Sequence, residues 1–512
     1  MLRLDTLVCV IGFLCALPCS AQIVPRGETT VIVAEPFAMT GGDPQTAWGN
    51  SAANICNLVH EGLVRKGFDG RMAPALAKSW QVLRGGLVIR FTLDERAKFH
   101  NGEPVTAEDV KFSYERAMRL ELQFRGGAEF RRIIDWIEVV DDRHLAFYFK
   151  EVSPAFFAYS VRWPGIVPKA YVEKVGNEEF AKHPIGAGPF RWMNYQQDVF
   201  VKAEAVADHY RKVPSVKTVN FKFAMEPAAL MANFKSGKAD IVQIPIPSYS
   251  QVRDDRKTKV VWSKFCYSRN LVFCDLAFPS DPSPFHDIRV RQALSFAINR
   301  REICDKVLHG CAEPYWEILA PYQPGFDPYV KPDPYNPRRA KALLNEAGYP
   351  NGFETVFHSG YFGDQVEVRA IAADLAKVGI RAKIDEVEMG AFASDFREKT
   401  FRGLVLYPAP FWNGEMHPAQ SLQSMISEES PVAYVTTPEA DTRWNKLAKL
   451  IDEKAIAAEA KELSRIWRKA QIRSCLWTYH QPLGLSPRIR YYRPIPAWMG
   501  IGGLEFLELN EE

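Results

Sequence analysis

Short strand-like runs alternate with short, capped helical segments along nearly the whole chain, and no period relates one stretch to another. Val31–Val33, Leu87–Leu93, His144–Phe149 and the alternating Ile380, Ala382, Ile384 read as strands. Ile55, Leu58, Val59 and Leu63 share one face of a helix running from Asn54 to Leu63. Thr106-Ala107-Glu108-Asp109 opens another as a capping box, with Val110, Tyr114 and Ala117 as its apolar stripe. Val290, Ala293, Leu294 and Ala297 fall at helical spacing. Asn336 caps a helix with Pro337 in its first turn, Ala340, Leu343, Leu344 and Ala347 on one face, and Gly348 as its left-handed stop. Ile371, Leu375 and Val378 mark a further helix, and Lys454 to Arg473 a last long one. Such alternation excludes a repeat array and an all-β or all-α fold; it predicts a mixed α/β protein. At 512 residues the chain exceeds one core, and its length corresponds to roughly two to four domains.

Charge narrows the partners. Lys and Arg number 64 against 61 Asp and Glu, a net +3, so a polyanion such as nucleic acid is not expected. Aromatic residues make up 12% of the chain, with 35 prolines, enough to line a ligand cavity. Leu7–Leu17 is an apolar run preceded by Arg3, with Asp5 an unusual neighbour, and Pro18-Cys19-Ser20-Ala21 follows it. It is too short to span a bilayer and reads as a secretory signal cut after Ala21. Cleavage leaves Cys56, Cys266, Cys274, Cys304, Cys311 and Cys475 of the nine cysteines, and six thiols allow fifteen pairings. Cys266 with Cys274 could close a hairpin, and Cys304 with Cys311 could flank a helix end; disulfide and buried thiol both stay open.

Motifs of catalysis are missing: there is no GxSxG, GxxxxGK[ST] or HExxH, and no GxGxxG after a strand. His100, Glu103, Glu108 and Asp109 lie close together, but Phe99–Pro104 reads as an Asn-Gly turn and Asp109 as helix-cap chemistry rather than metal ligation. Gly186-Ala187-Gly188-Pro189-Phe190 lacks the lysine of a phosphate loop and reads as a chain crossing or tight turn. Tyr407-Pro408-Ala409-Pro410-Phe411-Trp412-Asn413-Gly414 is a Pro-rich loop with three aromatic rings, either a contact loop or an interdomain packing loop.

Several of these segments recur together in one family. Asn57–Leu63, Pro74-Ala75-Leu76-Ala77-Lys78-Ser79-Trp80, Phe99–Ser113, His183–Phe190, Asp287–Ile298 and Ala340–Pro350, in this order from about residue 30 to 480, resemble the extracellular solute-binding proteins of the dipeptide/oligopeptide/nickel family (family 5) that serve ABC importers. The resemblance implies an α/β, two-lobed periplasmic binding protein fold (type II, cluster C) with mixed sheets, an extra inserted domain and a hinged interlobe cleft. It places domain I at 22–57 with 185–268 and 479–512, inserted domain II at 58–184, and domain III at 269–478. Hinge crossings are expected near Gly186–Phe190, near Cys266–Cys274 or just after, and near Tyr479. The implied function is capture of a small organic solute, peptide or peptide-like, and its delivery by a monomer to the permease subunits at the inner membrane. No catalysis, cofactor or metal is expected. The rival readings are a non-peptide solute (opine, oligosaccharide or metal chelate) and, from a different class, a secreted hydrolase.

Peptide-binding relatives carry an aspartate in a Trp-x-Ala-Asp-Tyr-x-Asp-Pro-like loop that anchors the peptide amino group. The corresponding loop here is Phe411–Pro418, which puts Gly414 at the anchor, Glu415 beside it and His417 at the second aspartate. An α-amino group desolvated without its countercharge costs on the order of several kcal/mol, which weighs against an ordinary dipeptide. The expected ligand-lining residues are Trp48 and Asn50 from the first domain, Phe124 and Arg125 from the second, and Tyr407, Phe411, Trp412, Glu415 and His417 from the third. Arg125 suits a ligand carboxylate.

Overall fold

The computed structural model describes residues 30–510 apart from 36–38, 47–48, 70, 123, 125, 154, 161–163, 224–225, 256–257, 361–364, 411–416, 429, 431–432 and 496–500. The leader and its cleavage site lie outside the described residues. Among those described, no helix is long and apolar enough to cross a membrane.

Among the described residues, eleven strands join one sheet. Its centre is an antiparallel pair of long strands, Lys259–Phe273 and Arg473–Leu485. On one side follow Ile241–Gln243, Thr30–Glu35, Thr218–Phe223, Phe200–Ala205 and Phe190–Gln196; on the other, Leu404–Pro410, Glu354–Ser359 and Arg381–Glu386. Ala312–Pro314 pairs with Arg473–Leu485 off this path. The two sides are two lobes sharing a backbone ladder.

Helices cover both faces in each lobe, which is why the inner strands read as continuous apolar runs. In Thr30–Glu35, Val31 and Val33 pack under helix Gly49–Val59 through Ala52 and Ile55. Ile32 and Ala34 face the other way, onto Leu230, Met231 and Phe234 of helix Pro227–Lys235. The same two-residue period splits Lys259–Phe273: Leu271 and Phe273 meet Leu294 and Leu343, whereas Val272 meets Leu422 and Trp467.

A four-stranded antiparallel sheet, Ala77–Leu83, Val88–Leu93, His144–Phe149 and Ile134–Asp141, has its own aromatic core of Phe91, Tyr114, Phe130, Phe147 and Phe156. Its helix Ala107–Ala117 begins with the capping box of Thr106 and Asp109, as the sequence implies. The Asn-Gly turn is also present, with Gly102 at φ +89°. Helix Pro337–Glu346 has the expected Asn336 cap and proline.

Some element ends differ from expectation. The helix predicted from Asn54 to Leu63 spans Gly49–Val59, and Leu63 is buried in the core of the smaller sheet instead. The last helix is Glu453–Ala470; Gln471 turns left-handed at φ +47°, and Arg473 already starts a strand. The six cysteines among the described residues are buried free thiols. Cys266 and Cys274 cannot close a hairpin, because the extended strand Lys259–Phe273 holds them apart, at about 3.3 Å per residue.

The smaller sheet is tied to the first lobe at two places. Arg116 is fully buried; its guanidinium lies 2.5 Å from Asp43, 2.6 Å from Gln45 and 2.8 Å from Asn177. Gly186 and Gly188 cross the end of helix Gly49–Val59 so closely that an added Cβ would sit 2.0 Å from the Val59 carbonyl oxygen and 2.3 Å from that of Leu58. Their requirement is backbone approach, not positive φ.

Two stability changes follow. Arg116→Met leaves Asp43 buried without its countercharge and lowers urea-unfolding stability by about 3–5 kcal/mol. Gly188→Ala forces the crossing apart and costs at least about 2 kcal/mol in the same measurement.

Candidate functional site

Register locates the cleft. Thr30–Glu35 runs parallel to Thr218–Phe223 and Ile241–Gln243, and in the other lobe Glu354–Ser359 runs parallel to Leu404–Pro410 and Arg381–Glu386. The ladder between the two central strands is regular through Ser263↔Gln481, shifts, and resumes at Tyr267↔Tyr479. Gln243 pairs with Leu483 on one side of that break, and Pro410 pairs with Tyr267 on the other. The carboxyl ends of the two sets of parallel strands therefore point at each other across the break. Carboxyl ends of open α/β sheets are where ligands bind. The break lies at 264–266, at the edge of the interval Cys266–Cys274 where a crossing is expected from sequence, and the segments 36–38, 224–225, 361–364 and 411–416 follow these strand ends in the chain.

The far side of the break carries a built floor. Tyr267 stacks on Tyr479 at 4.6 Å, and the Arg269 guanidinium lies 5.5 Å and 5.8 Å from their ring centroids. Arg269 pairs with Glu367 at 3.1 Å, and the Trp477 indole N–H donates to the same carboxylate at 2.9 Å. Glu367 sits in the first turn of helix Gln365–Ala376. The two central strands thus fix the helix that follows segment 361–364.

On the near side, Asn54 donates to Glu35 at the end of Thr30–Glu35, and Ser263 bonds the Ile495 carbonyl. Beside them is a cavity of about 70 Å³ whose walls include Asn57, Arg65, Lys66, Arg211, Glu505 and Phe506. Glu61 also lines it. Burial pushes the Glu61 carboxyl up, but Arg211, 2.5 Å away, with His209 and the Tyr210 hydroxyl, holds it below the usual range. Glu505 bonds the same arginine at 3.4 Å. Lys66 is buried, and its ammonium lies 5.3 Å over the ring of Tyr322, which belongs to the opposite lobe. Neither Lys66 nor Arg269 stands out in sequence, since their partners are hundreds or scores of residues away.

The expected lining residues divide into three groups. Trp48, Arg125, Phe411, Trp412 and Glu415 lie outside the described residues, as does the Asn50 side chain, although Asn50 is in the first turn of helix Gly49–Val59. Tyr407 is half-buried and stacks on Phe396 at 4.2 Å. Phe124 and His417 have packing and capping roles instead of open ones. Phe124 is buried in the aromatic core against Phe130. His417 caps helix Pro418–Ile426: its Nδ1 accepts from the Ala419 N–H at 3.2 Å, and Nε2 donates to the Leu450 carbonyl at 3.1 Å. The residues suspected as a metal cluster are likewise structural. His100 bridges the Asn-Gly turn to the Gly188 carbonyl at 2.9 Å, and no metal-holding group occurs among the described residues.

Burial drives His60, His100 and His417 down to a pKa of about 4. The unfolded chain takes these protons nearer pH 6.5, so between the two values it binds more protons than the folded protein. Stability therefore falls as pH drops through that window, by up to about 1.4 kcal/mol per pH unit for each histidine. Urea midpoints measured across it should show the decline, and His417→Asn, which keeps a cap acceptor, should flatten it by about a third.

Comparison with known proteins gives the same picture. Residues 71–426 match the model of the bacterial extracellular solute-binding proteins, family 5. Heme-binding protein A of Haemophilus influenzae is 24% identical, over 83% of this chain and 81% of that protein. Glutathione-binding protein GsiB of Pectobacterium atrosepticum is 26% identical, over 84% and 87%. The solved structure of HbpA2 from Haemophilus parasuis superposes with a TM-score of 0.83 at 22% identity, over 94% of this chain and all of that one. The two lobes, the shared ladder broken at 264–266 and the facing strand ends are thus the fold of a periplasmic binding protein, and the chain belongs to the extracellular solute-binding proteins of family 5.

Proposed function

We propose that this protein captures a small peptide-like solute between its lobes and hands it, closed, to the permease of an ABC importer. The observation that carries this reading is the family match over residues 71–426; the glutathione-binding relative supports a peptide-like solute. Solute touching the facing strand ends contacts both lobes at once and so favours the closed state over the open one. The lobes pivot at the ladder break near Cys266 and Tyr479. This divides the chain into domain I (22–57, 185–268, 479–512), inserted domain II (58–184) and domain III (269–478). Leader removal after Ala21 delivers a monomer to the periplasm, and binding proceeds without turnover.

Phe411, Trp412 and Glu415 follow strand Leu404–Pro410 directly, with Tyr407 on it; they form the third domain's side of the site. We assign Trp48 and Asn50, at the entry to helix Gly49–Val59 in the sequence, to the first domain's side of the site, and Arg125 as a cation from the inserted domain.

Purified protein, unfolded and refolded to release retained solute, should gain thermal stability with glutathione or tripeptides in a saturable way and without product. Trp412→Ala should weaken that binding about tenfold or more, and Glu415→Ala should weaken peptides with a free amino group more than N-acetylated ones. Turnover of any bound solute overturns the binding reading. Response only to opines or sugars overturns its peptide part.

A further inference from the structure

We propose that the turn Arg84–Gly86 of the smaller sheet is a latch that closes onto Ile451 of the second lobe and holds the lobes together. This rests on the solute-binding reading and adds the contact by which closure is held.

The two partners belong to bodies that a pivot would separate. Arg84–Gly86 joins strands Ala77–Leu83 and Val88–Leu93. The smaller sheet that contains them is fixed to the first lobe by the buried Arg116–Asp43 pair and the crossing at Gly186 and Gly188. Ile451 comes soon after helix Pro438–Leu447, whose Trp444 and Leu447 share a core with Val272 and Leu422 of the second lobe. Movement at the ladder break therefore makes or parts the contact between Gly86 and Ile451. The lobes also meet where the Lys66 ammonium lies 5.3 Å over the Tyr322 ring, so they approach each other at two places.

The turn presents bare backbone to its partner. Arg84, Gly85 and Gly86 are all left-handed, at φ +49°, +63° and +96°. A Cβ added at Gly85 would meet nothing within 4 Å, but one at Gly86 would lie 3.1 Å from methyl carbons of both Val152 and Ile451. Gly86 is accordingly buried although it sits in a hairpin turn. Glycine is needed there for close approach as well as for its conformation.

The receiving residue is held still. The Leu450 carbonyl accepts from His417 Nε2 at 3.1 Å, and Asp452 caps helix Glu453–Ala470 by accepting the Ala455 N–H at 2.8 Å. Ile451 is thus pinned on both sides, yet it stays 52% exposed. Permanent joints such as Arg116 are fully buried; a half-exposed apolar contact can part without opening a core. A contact made only when the lobes are closed raises the closed population whatever the solute.

The test reads the distance between the lobes. Spin labels on Gln81→Cys in the smaller sheet and Glu439→Cys in the second lobe, both exposed positions, report it by double electron–electron resonance in refolded protein; the described native thiols are buried. Ile451→Ser should cut the short-distance population about threefold or more, and Ile451→Val should keep it. Gly85→Ala and Gly86→Ala both place a side chain on left-handed backbone, but only Gly86→Ala pushes on Ile451, so only it should lengthen the distance. Circular dichroism checks the fold, and if Gly86→Ala fails to fold, Ile451→Ser against Ile451→Val carries the comparison. Equal distance distributions in wild type and Ile451→Ser overturn the latch. A wild type whose melting temperature answers to neither glutathione nor tripeptides, while Ile451→Ser still lengthens the distance, overturns the peptide reading and supports the latch, so the two failures are distinguishable.

Discussion

The pairing of Lys259–Phe273 with Arg473–Leu485 is the constraint on which the rest of the structure depends. Backbone N–H and C=O groups must be paired wherever water is excluded, and this ladder pairs them on both sides of its break, in two lobes that otherwise have separate cores. The lobes cannot slide along each other without breaking it. The register shifts between Ser263 and Tyr267, and the facing strand ends converge on that point. The strand ends face one another at the first of the two irregularities in this ladder; the second lies between Arg269 and Asn270.

Buried charge does a related job at the joints. Asp43 with Arg116, Glu61 with Arg211, and Arg269 with Glu367 each join segments 73, 150 and 98 residues apart. Desolvating such pairs is costly, and a hydrophobic replacement is often as stable. Directional bonds to several partners, however, admit few alternative arrangements. Arg116 reaches Asp43, Gln45 and Asn177 together, so the small sheet has one orientation on its lobe.

Local order was legible in the sequence wherever short-range chemistry dictates it. The Thr106–Asp109 capping box, the Asn336-Pro337 start and the Asn101-Gly102 turn are decided by residues within four positions of one another. Long motifs were legible through family resemblance. Side-chain roles fixed by distant partners were not. His417 aligns with a ligand-contacting position but turns back to cap its own helix and to bond Leu450. Phe124 lies in a segment where relatives present contacts, yet its ring completes an aromatic core. Lys66 follows Arg65 in an ordinary charged stretch, and Tyr322 meets it from the other lobe.

The centre of the sheet is assembled from the late part of the chain. Arg473–Leu485 lies between Ile241–Gln243 and Lys259–Phe273, and Glu505 and Leu509 bind back to Arg211 and Ile489. A polypeptide that emerges amino end first exposes Ile241–Gln243 and Lys259–Phe273 before their shared neighbour is available. The strand edges bordering the gap stay open to wrong partners until the last segments emerge. The centre of the sheet therefore closes only once the late part of the chain is available, whatever the rate at which the helices form.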